Sequence, residues 1–222
     1  MKNVSVLAVM IFLVLVTSFS SLAFGQSGSK VLLIPREGSS LDLDLMIKME
    51  VGVMTVLLKN AGFEVDMATT SGQPILGPTQ KLDKIKRLAD INLSDYKGII
   101  LACMAVGSFP GAPVSKEAVA FVKQALSEGK PVAANSNSGT VLAEAGVLKG
   151  KKFALWRDPL KTTEVFKTTD IRFADAIYSG PGVVQDGKII TSGVCAYIER
   201  ARGMENVTVK LTKTFIAELA SK

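Results

Sequence analysis

The stretch AANSNSGTVLAEAG (133–146) runs from an apolar strand through a tight turn into a helix, with Ser136 at the bend. A sharp strand-to-helix turn lifts one side chain clear of a sheet, which is how several hydrolase folds present a nucleophile. A serine hydroxyl also needs a base within hydrogen-bond reach. The chain has 0 histidines, so Ser-His and Cys-His pairs and His-ligated zinc or iron are excluded. Its 2 cysteines, Cys103 and Cys195, are too few for a four-cysteine metal centre, and no metal or other cofactor is expected. Acid–base work falls to carboxylates, lysines, tyrosines or water.

Glu50 is the carboxylate that stands out. Its helical neighbours at three and four residues are Met46, Ile47, Val53 and Met54, all apolar, so no partner lies along its own helix. Such a carboxylate is buried with a partner, sits at a pocket rim, or reaches water from the edge of the stripe. The turn also has a plainer reading. Ser136, Asn137 and Ser138 are types that line pockets or satisfy free N–H groups at a helix start.

The elements that must position these residues follow from the apolar pattern. KVLLIP (30–35), FEVDMA (63–68), GIILAC (98–103) and PVAAN (131–135) read as buried strands. LDLMIKMEVGVMTVLLKNAG reads as a helix of about 16 to 18 residues, with Gly62 past its end. The β–α–β start is the unit of a parallel sheet. KLDKIKRLADI is expected as a short helix, and SKEAVAFVKQALSEG as a helix capped by Ser115 and ending near Gly129. The elbow helix stops at Gly146, KKFALW (151–156) is a strand, and DAIYS is extended. VVQDGKIITS is a hairpin turning at Asp186-Gly187, and a last helix runs from about Glu205 to Leu219. Ligands of such an α/β sandwich are expected at the carboxyl ends of its strands.

The first 25 residues combine a short positive start, an uninterrupted apolar run and a small-residue exit at Ala23 and Gly25. They are expected to be a signal peptide cleaved before Gln26, with an uncleaved membrane anchor as the alternative. Residues 26–222 then form one exported domain, periplasmic or secreted, with no membrane span after cleavage. The net charge is +6, or +5 without Lys2, and its lysines are scattered. A solvated basic surface is expected and no nucleic-acid partner.

PVAANSNSGTVLAEAGVLKGKK (131–152) resembles the elbow segment of the ThiJ/PfpI family, within the class I glutamine amidotransferase-like superfamily. That segment typically reads A-A-I-C-H-G-P, with A-G-V-L-x-G following, and AGVLKG (145–150) matches the second part. VVQDGKIITS is similar to the family's V-x-D-G-x-I-I-T-S hairpin, and DYKGIILAC (95–103) to its third strand. The resemblance spans roughly residues 30 to 220. It implies an α/β, flavodoxin-like three-layer sandwich with a mostly parallel central sheet, assembled as a homodimer.

Enzymes of that family use an elbow cysteine, a glutamate from the first crossover helix and often a histidine. Their activities include peptidase-, glyoxalase-, deglycase- and chaperone-like functions. By position, Glu50 matches the helix glutamate, Ser136 the elbow cysteine, Asn137 the residue that is often histidine, and Ser138 the usual glycine. A Gly-Gly pair that lends N–H groups to an oxyanion is replaced near Cys103 and Met104. A histidine of some members falls near Trp156. The resemblance also puts the elbow strand between Cys103 and Cys195. Two strand spacings are about 9.6 Å, past the ~7 Å Cα limit of a disulfide, so a bridge requires their loops to converge.

These readings point to a non-catalytic protein that binds a small polar molecule or a protein partner. The crevice is expected near Glu50, Cys103, Met104, Ser136, Asn137, Trp156 and Cys195. The enzymatic alternative is an atypical hydrolase, or a glyoxalase- or deglycase-like enzyme. It would use Ser136 with Glu50, whose contact is within geometric reach, or a pocket cysteine.

Overall fold

A computed structural model describes residues 28–37, 43–103, 114–156 and 170–221; the expected signal peptide and Met104 lie outside the described residues. The apolar run KVLLI forms β1 (Lys30–Ile34), buried on both faces. The expected helix follows, with one irregularity. α1 (Leu43–Met46) passes through a π turn (Ile47–Val51) into α2 (Gly52–Asn60), and the Gly52 N–H closes the wide turn on the Ile47 carbonyl. The π turn inserts an extra residue, so the three-and-four spacing of an α-helix does not hold around Glu50. Its side chain is buried beside Ile47 and Val51.

β2 (Glu64–Thr69) pairs in parallel with β1. The segment expected as a short helix over KLDKIKRLADI is not helical. β3 (Ile75–Leu76) pairs antiparallel with β4 (Lys81–Leu82), and β5 (Ile85–Arg87) pairs in parallel with β2 before a 3-10 turn at Leu88–Asp90. The free edge of β2 supplies ladder hydrogen bonds that outweigh helix propensity here. Lys86 Nζ holds Asp66 Oδ2 at 2.8 Å across that edge, and a lysine on an edge strand discourages pairing with another chain.

β6 (Tyr96–Leu101) and β7 (Val132–Asn135) frame α3 (Lys116–Ser127). As expected, Ser115 Oγ caps α3, accepting the Ala118 N–H at 3.1 Å. After β7 comes a 3-10 turn (Ser136–Ser138) and α4 (Gly139–Glu144). KKFALW contributes only β8 (Lys152–Phe153), which pairs with β9 (Ile177–Tyr178) in a separate two-stranded sheet. β10 (Val183–Asp186) and β11 (Ile189–Ser192) form the hairpin, with Gly187 at φ 62° in its turn. The expected last helix begins at Thr208, not Glu205. It is preceded by a helix that the pattern did not reveal: α5 (Ala196–Arg202) comes first, then α6 (Thr208–Ala220).

The main sheet has the order β10-β11-β7-β6-β1-β2-β5, parallel throughout except β10. Alternate residues of its central strands feed two cores. Leu32, Ile34, Ile99, Leu101, Val132 and Ala134 pack with α3 and α4. Val31, Leu33, Ile100, Ala133 and Ile190 pack with the α1–α2 run and α6. This is the expected flavodoxin-like sandwich, with helices on both faces of a mostly parallel sheet. No helix among the described residues is long and apolar enough to cross a membrane.

Candidate functional site

Three parallel strands end side by side, and each hands polar or thiol groups to the same place. Cys103 follows β6, Asn135 and Ser136 lie at the end of β7, and β11 ends at Ser192 before Cys195 opens α5. Glu50 arrives from the π turn. A Glu50 carboxylate oxygen and the sulfurs of Cys103 and Cys195 all lie within 4.8 Å of one another. The group is almost wholly buried: Glu50 is 2% exposed, Cys103 8%, Cys195 0% and Ser136 1%.

Neither cysteine is in a disulfide. β7 lies between β6 and β11 as expected, and strand spacing alone would keep the two cysteines apart unless their loops converge. Yet both cysteines lie beyond their strand ends, where the chain is free to fold inward, and their sulfurs meet. The loop carrying Cys195 is seated by Gly193, whose N–H donates to Pro181 O at 2.9 Å. A Cβ at Gly193 would stand 2.5 Å from both Leu155 C and Trp156 N, so only glycine permits this approach.

Glu50 is held by two donors. Its Oε2 accepts the Cys103 backbone N–H at 2.9 Å and Asn135 Nδ2 at 2.9 Å. Asn135, fully buried, also donates to Thr208 Oγ1 at 3.1 Å and accepts from Ser192 Oγ at 2.7 Å. A buried amide with partners on β11, α6 and the π turn leaves little freedom to the carboxyl it orients. Asn135, Ser192 and Thr208 were missed in the sequence. The available signal was a polar residue closing an otherwise apolar strand, in VAAN and again in IITS.

Ser136 stands at the bend, as expected, and adopts φ 53°, the only positive-φ residue other than glycine among the described residues. A left-handed backbone at a non-glycine residue costs about 1–2 kcal/mol, so the elbow is a strained turn. Its hydroxyl does not meet Glu50. Ser136 Oγ is buried without a hydrogen bond of ordinary geometry, although it lies close enough to the Cys195 sulfur to favour the thiolate. The capping role is not observed either. No side chain caps the 3-10 turn or α4, and Ser138 Oγ donates instead to Asn135 O at 2.9 Å and Leu101 O at 3.2 Å.

The remaining expected residues are peripheral. Trp156 is half-buried against Cys103, Val194, Cys195 and Ile198, and the Arg202 guanidinium stands 5.3 Å from its ring centroid. Asn137 is half-buried and accepts Thr140 Oγ1 through its carbonyl at 2.6 Å.

Protonation differs sharply within the cluster. Burial, and then the negative charge of Cys195, push the Glu50 carboxyl well above its usual range despite the donors from Cys103 and Asn135. Cys195 moves the other way, to about 6, chiefly because the Cys103 thiol hydrogen-bonds it. Burial opposes this, while the Ser136 hydroxyl and the N–H groups of Ile198 and Tyr197 assist it. The site therefore favours the protonated form of the Glu50 carboxyl and the thiolate form of Cys195. A neutral carboxyl is a proton donor and not a base for Ser136.

No metal was expected from the composition. The tertiary structure nevertheless brings three side chains of metal-ligating type together, a carboxyl and two thiols.

Comparison with known proteins agrees with this fold. The family model described as the DJ-1/PfpI family matches residues 41–200. An uncharacterized protein of Methanocaldococcus jannaschii is 30% identical over 196 residues, covering 86% of this chain and 89% of that protein. Among solved structures, a ThiJ/PfpI domain protein from Brachyspira murdochii superposes with a TM-score of 0.63 at 12% identity, over 87% of this chain and 97% of that one. Drosophila melanogaster DJ-1beta gives 0.58 at 21% identity, over 87% and 92%. The matched region contains the π turn with Glu50, the elbow with Ser136 and both cysteines, and the chain belongs to the DJ-1/PfpI family.

Proposed function

We propose that this DJ-1/PfpI protein is a binding protein that takes a small polar ligand at Glu50, Cys103 and Cys195 and does not turn over substrate through Ser136. One observation carries the reading. Glu50 spends its Oε2 on the Cys103 N–H and the Asn135 amide, and no hydrogen bond joins it to Ser136 among the described residues. A serine without a base is a poor nucleophile. Two thiols and a carboxyl buried together carry a desolvation cost that a bound polar ligand offsets.

The deciding experiment assays the purified protein with methylglyoxal and an activated ester, beside its Ser136→Ala and Cys195→Ser variants. The expected result is no turnover above the uncatalysed rate in any of the three. Turnover abolished by Ser136→Ala overturns the reading in favour of a serine hydrolase. Turnover that survives Ser136→Ala and disappears in Cys195→Ser identifies a thiol enzyme; the lowered Cys195 pKa favours this as the second reading.

Export and dimerisation belong to the same proposal. The apolar leader supports export, and the mature N-terminus is expected at Gln26 when protein from outside the cytoplasm is sequenced. A monomer mass in solution would exclude the dimer.

A further inference from the structure

The donor set at the strand ends is that of a metal centre: two thiols from different loops and one carboxylate from a helix, all buried and within 4.8 Å of one another. We propose that Glu50, Cys103 and Cys195 bind a single thiophilic divalent cation of the zinc type. This deepens the binding reading above by naming the class of ligand.

The geometry is close to what such an ion needs. Zinc–sulfur bonds of about 2.3 Å and zinc–oxygen bonds of about 2.0–2.2 Å put tetrahedral donors roughly 3.5–3.8 Å apart. Donors within 4.8 Å reach that spacing by movement of about 1 Å, which side-chain rotation supplies. The carboxylate is already oriented. The Cys103 N–H and the Asn135 amide fix Oε2, leaving Oε1 for a further partner. Outer hydrogen bonds of this kind hold metal ligands in place. An oxygen in the set selects a zinc-type ion over cuprous copper, which prefers sulfur alone.

The fourth position has its own independent sign. Ser136 Oγ is 1% exposed, has no hydrogen bond of ordinary geometry, and lies beside the Cys195 sulfur. A buried hydroxyl left in that state is costly. It is placed to bind the ion directly or to hold a water on it. On binding, the Glu50 carboxyl and the thiol that is still protonated release their protons to solvent, Cys195 joins as the thiolate, and no electrons move.

The test uses the purified full chain, reduced, with both thiols confirmed by titration. Zn²⁺ is added in competition with a chromophoric chelator, and Co²⁺ is used as a spectroscopic substitute. One Zn²⁺ per chain is expected, together with a sulfur-to-cobalt charge-transfer band. Cys103→Ser and Cys195→Ser are each expected to weaken binding by about 100-fold or more, and Glu50→Gln by about 10-fold or more. Absence of stoichiometric Zn²⁺ binding in the reduced protein overturns the assignment. So does binding unchanged by both cysteine substitutions, or a cobalt complex without the sulfur band. The cobalt spectrum of the unsubstituted protein decides the matter even where a variant fails to fold. Failure here is separable from failure of the binding reading. A chain that binds no Zn²⁺ and shows no turnover loses only the metal, whereas serine-dependent turnover defeats the binding reading whatever the metal result.

Discussion

Cys103 donates its backbone N–H to Glu50 Oε2 at 2.9 Å, across 53 residues of chain, and the Asn135 amide meets the same oxygen at 2.9 Å. One carboxyl oxygen thus ties the ends of two neighbouring strands to the π turn. The contact explains why Glu50 is available to the cysteines and unavailable to the elbow serine.

Removing the tie should be costly. Asn135→Ala leaves Glu50, Thr208 and Ser192 each short of a buried partner. A loss of about 2–3 kcal/mol in unfolding free energy is expected, read from the denaturant midpoint. A loss below about 0.5 kcal/mol would show that the amide does not organise the site.

Cys195 should titrate as an acidic thiol. In metal-free native protein, the ultraviolet absorbance of the thiolate should rise with pH around an inflection near 6, well below the ordinary thiol value of 9.0. Cys103→Ala removes the largest cause and should move that inflection upward; Ser136→Ala should move it less. An unchanged inflection in Cys103→Ala would remove the thiol–thiol contact from the explanation.

The same shift has a stability consequence. The Cys195 pKa is lower in the folded chain, about 6 against 9.0, so the unfolded chain holds more protons between those values. Its contribution is full above pH 9, declines as pH falls, and is lost below about 6. Glu50, raised by burial, acts in the opposite sense and weakens the fold as pH rises through its folded value. Comparing Cys195→Ser with its parent in a Glu50→Gln background isolates the thiol. The parent's advantage should widen from pH 6 to pH 9, and a constant gap would contradict it.

Ser136→Gly should stabilise the protein by about 1 kcal/mol. Glycine adopts φ 53° without strain, and the lost hydroxyl makes no ordinary hydrogen bond. Ser136→Val should do the reverse, because a β-branched residue resists this conformation. The order Gly, Ser, Val in melting temperature checks both.

Gly193→Ala should destabilise by about 1–3 kcal/mol, since its Cβ meets backbone atoms that cannot rotate away. It should also disturb the cysteine pair through the loop leading to Cys195. Loss of stability without any change in the Cys195 titration would show that the loop and the site are independent.

Much of this was legible in the chain itself. Strands buried on both faces announce themselves as apolar runs, and KVLLI and VAAN do so. The edge strand β5 did not, because IKR has no apolar signature and forms a strand only where the β2 ladder is exposed. Glu50 was conspicuous because its helical neighbours are apolar, but its partners come from β6 and β7, and local sequence says nothing of them. Asn135 resembled an ordinary strand end until its side chain was seen to join three elements.

The sequence by itself determined the buried central strands, the first crossover helix and α3, the placement of Ser136 at a strand-to-helix bend, and the exclusion of histidine chemistry. Those follow from periodicity and residue type, which act over a few neighbouring positions. Tertiary structure alone decided which groups share a site. It brought Cys103 and Cys195 together across an intervening strand and left Ser136 without a base. The reason is physical: both cysteines lie past the ends of their strands, where side chains are no longer bound by the spacing of the sheet.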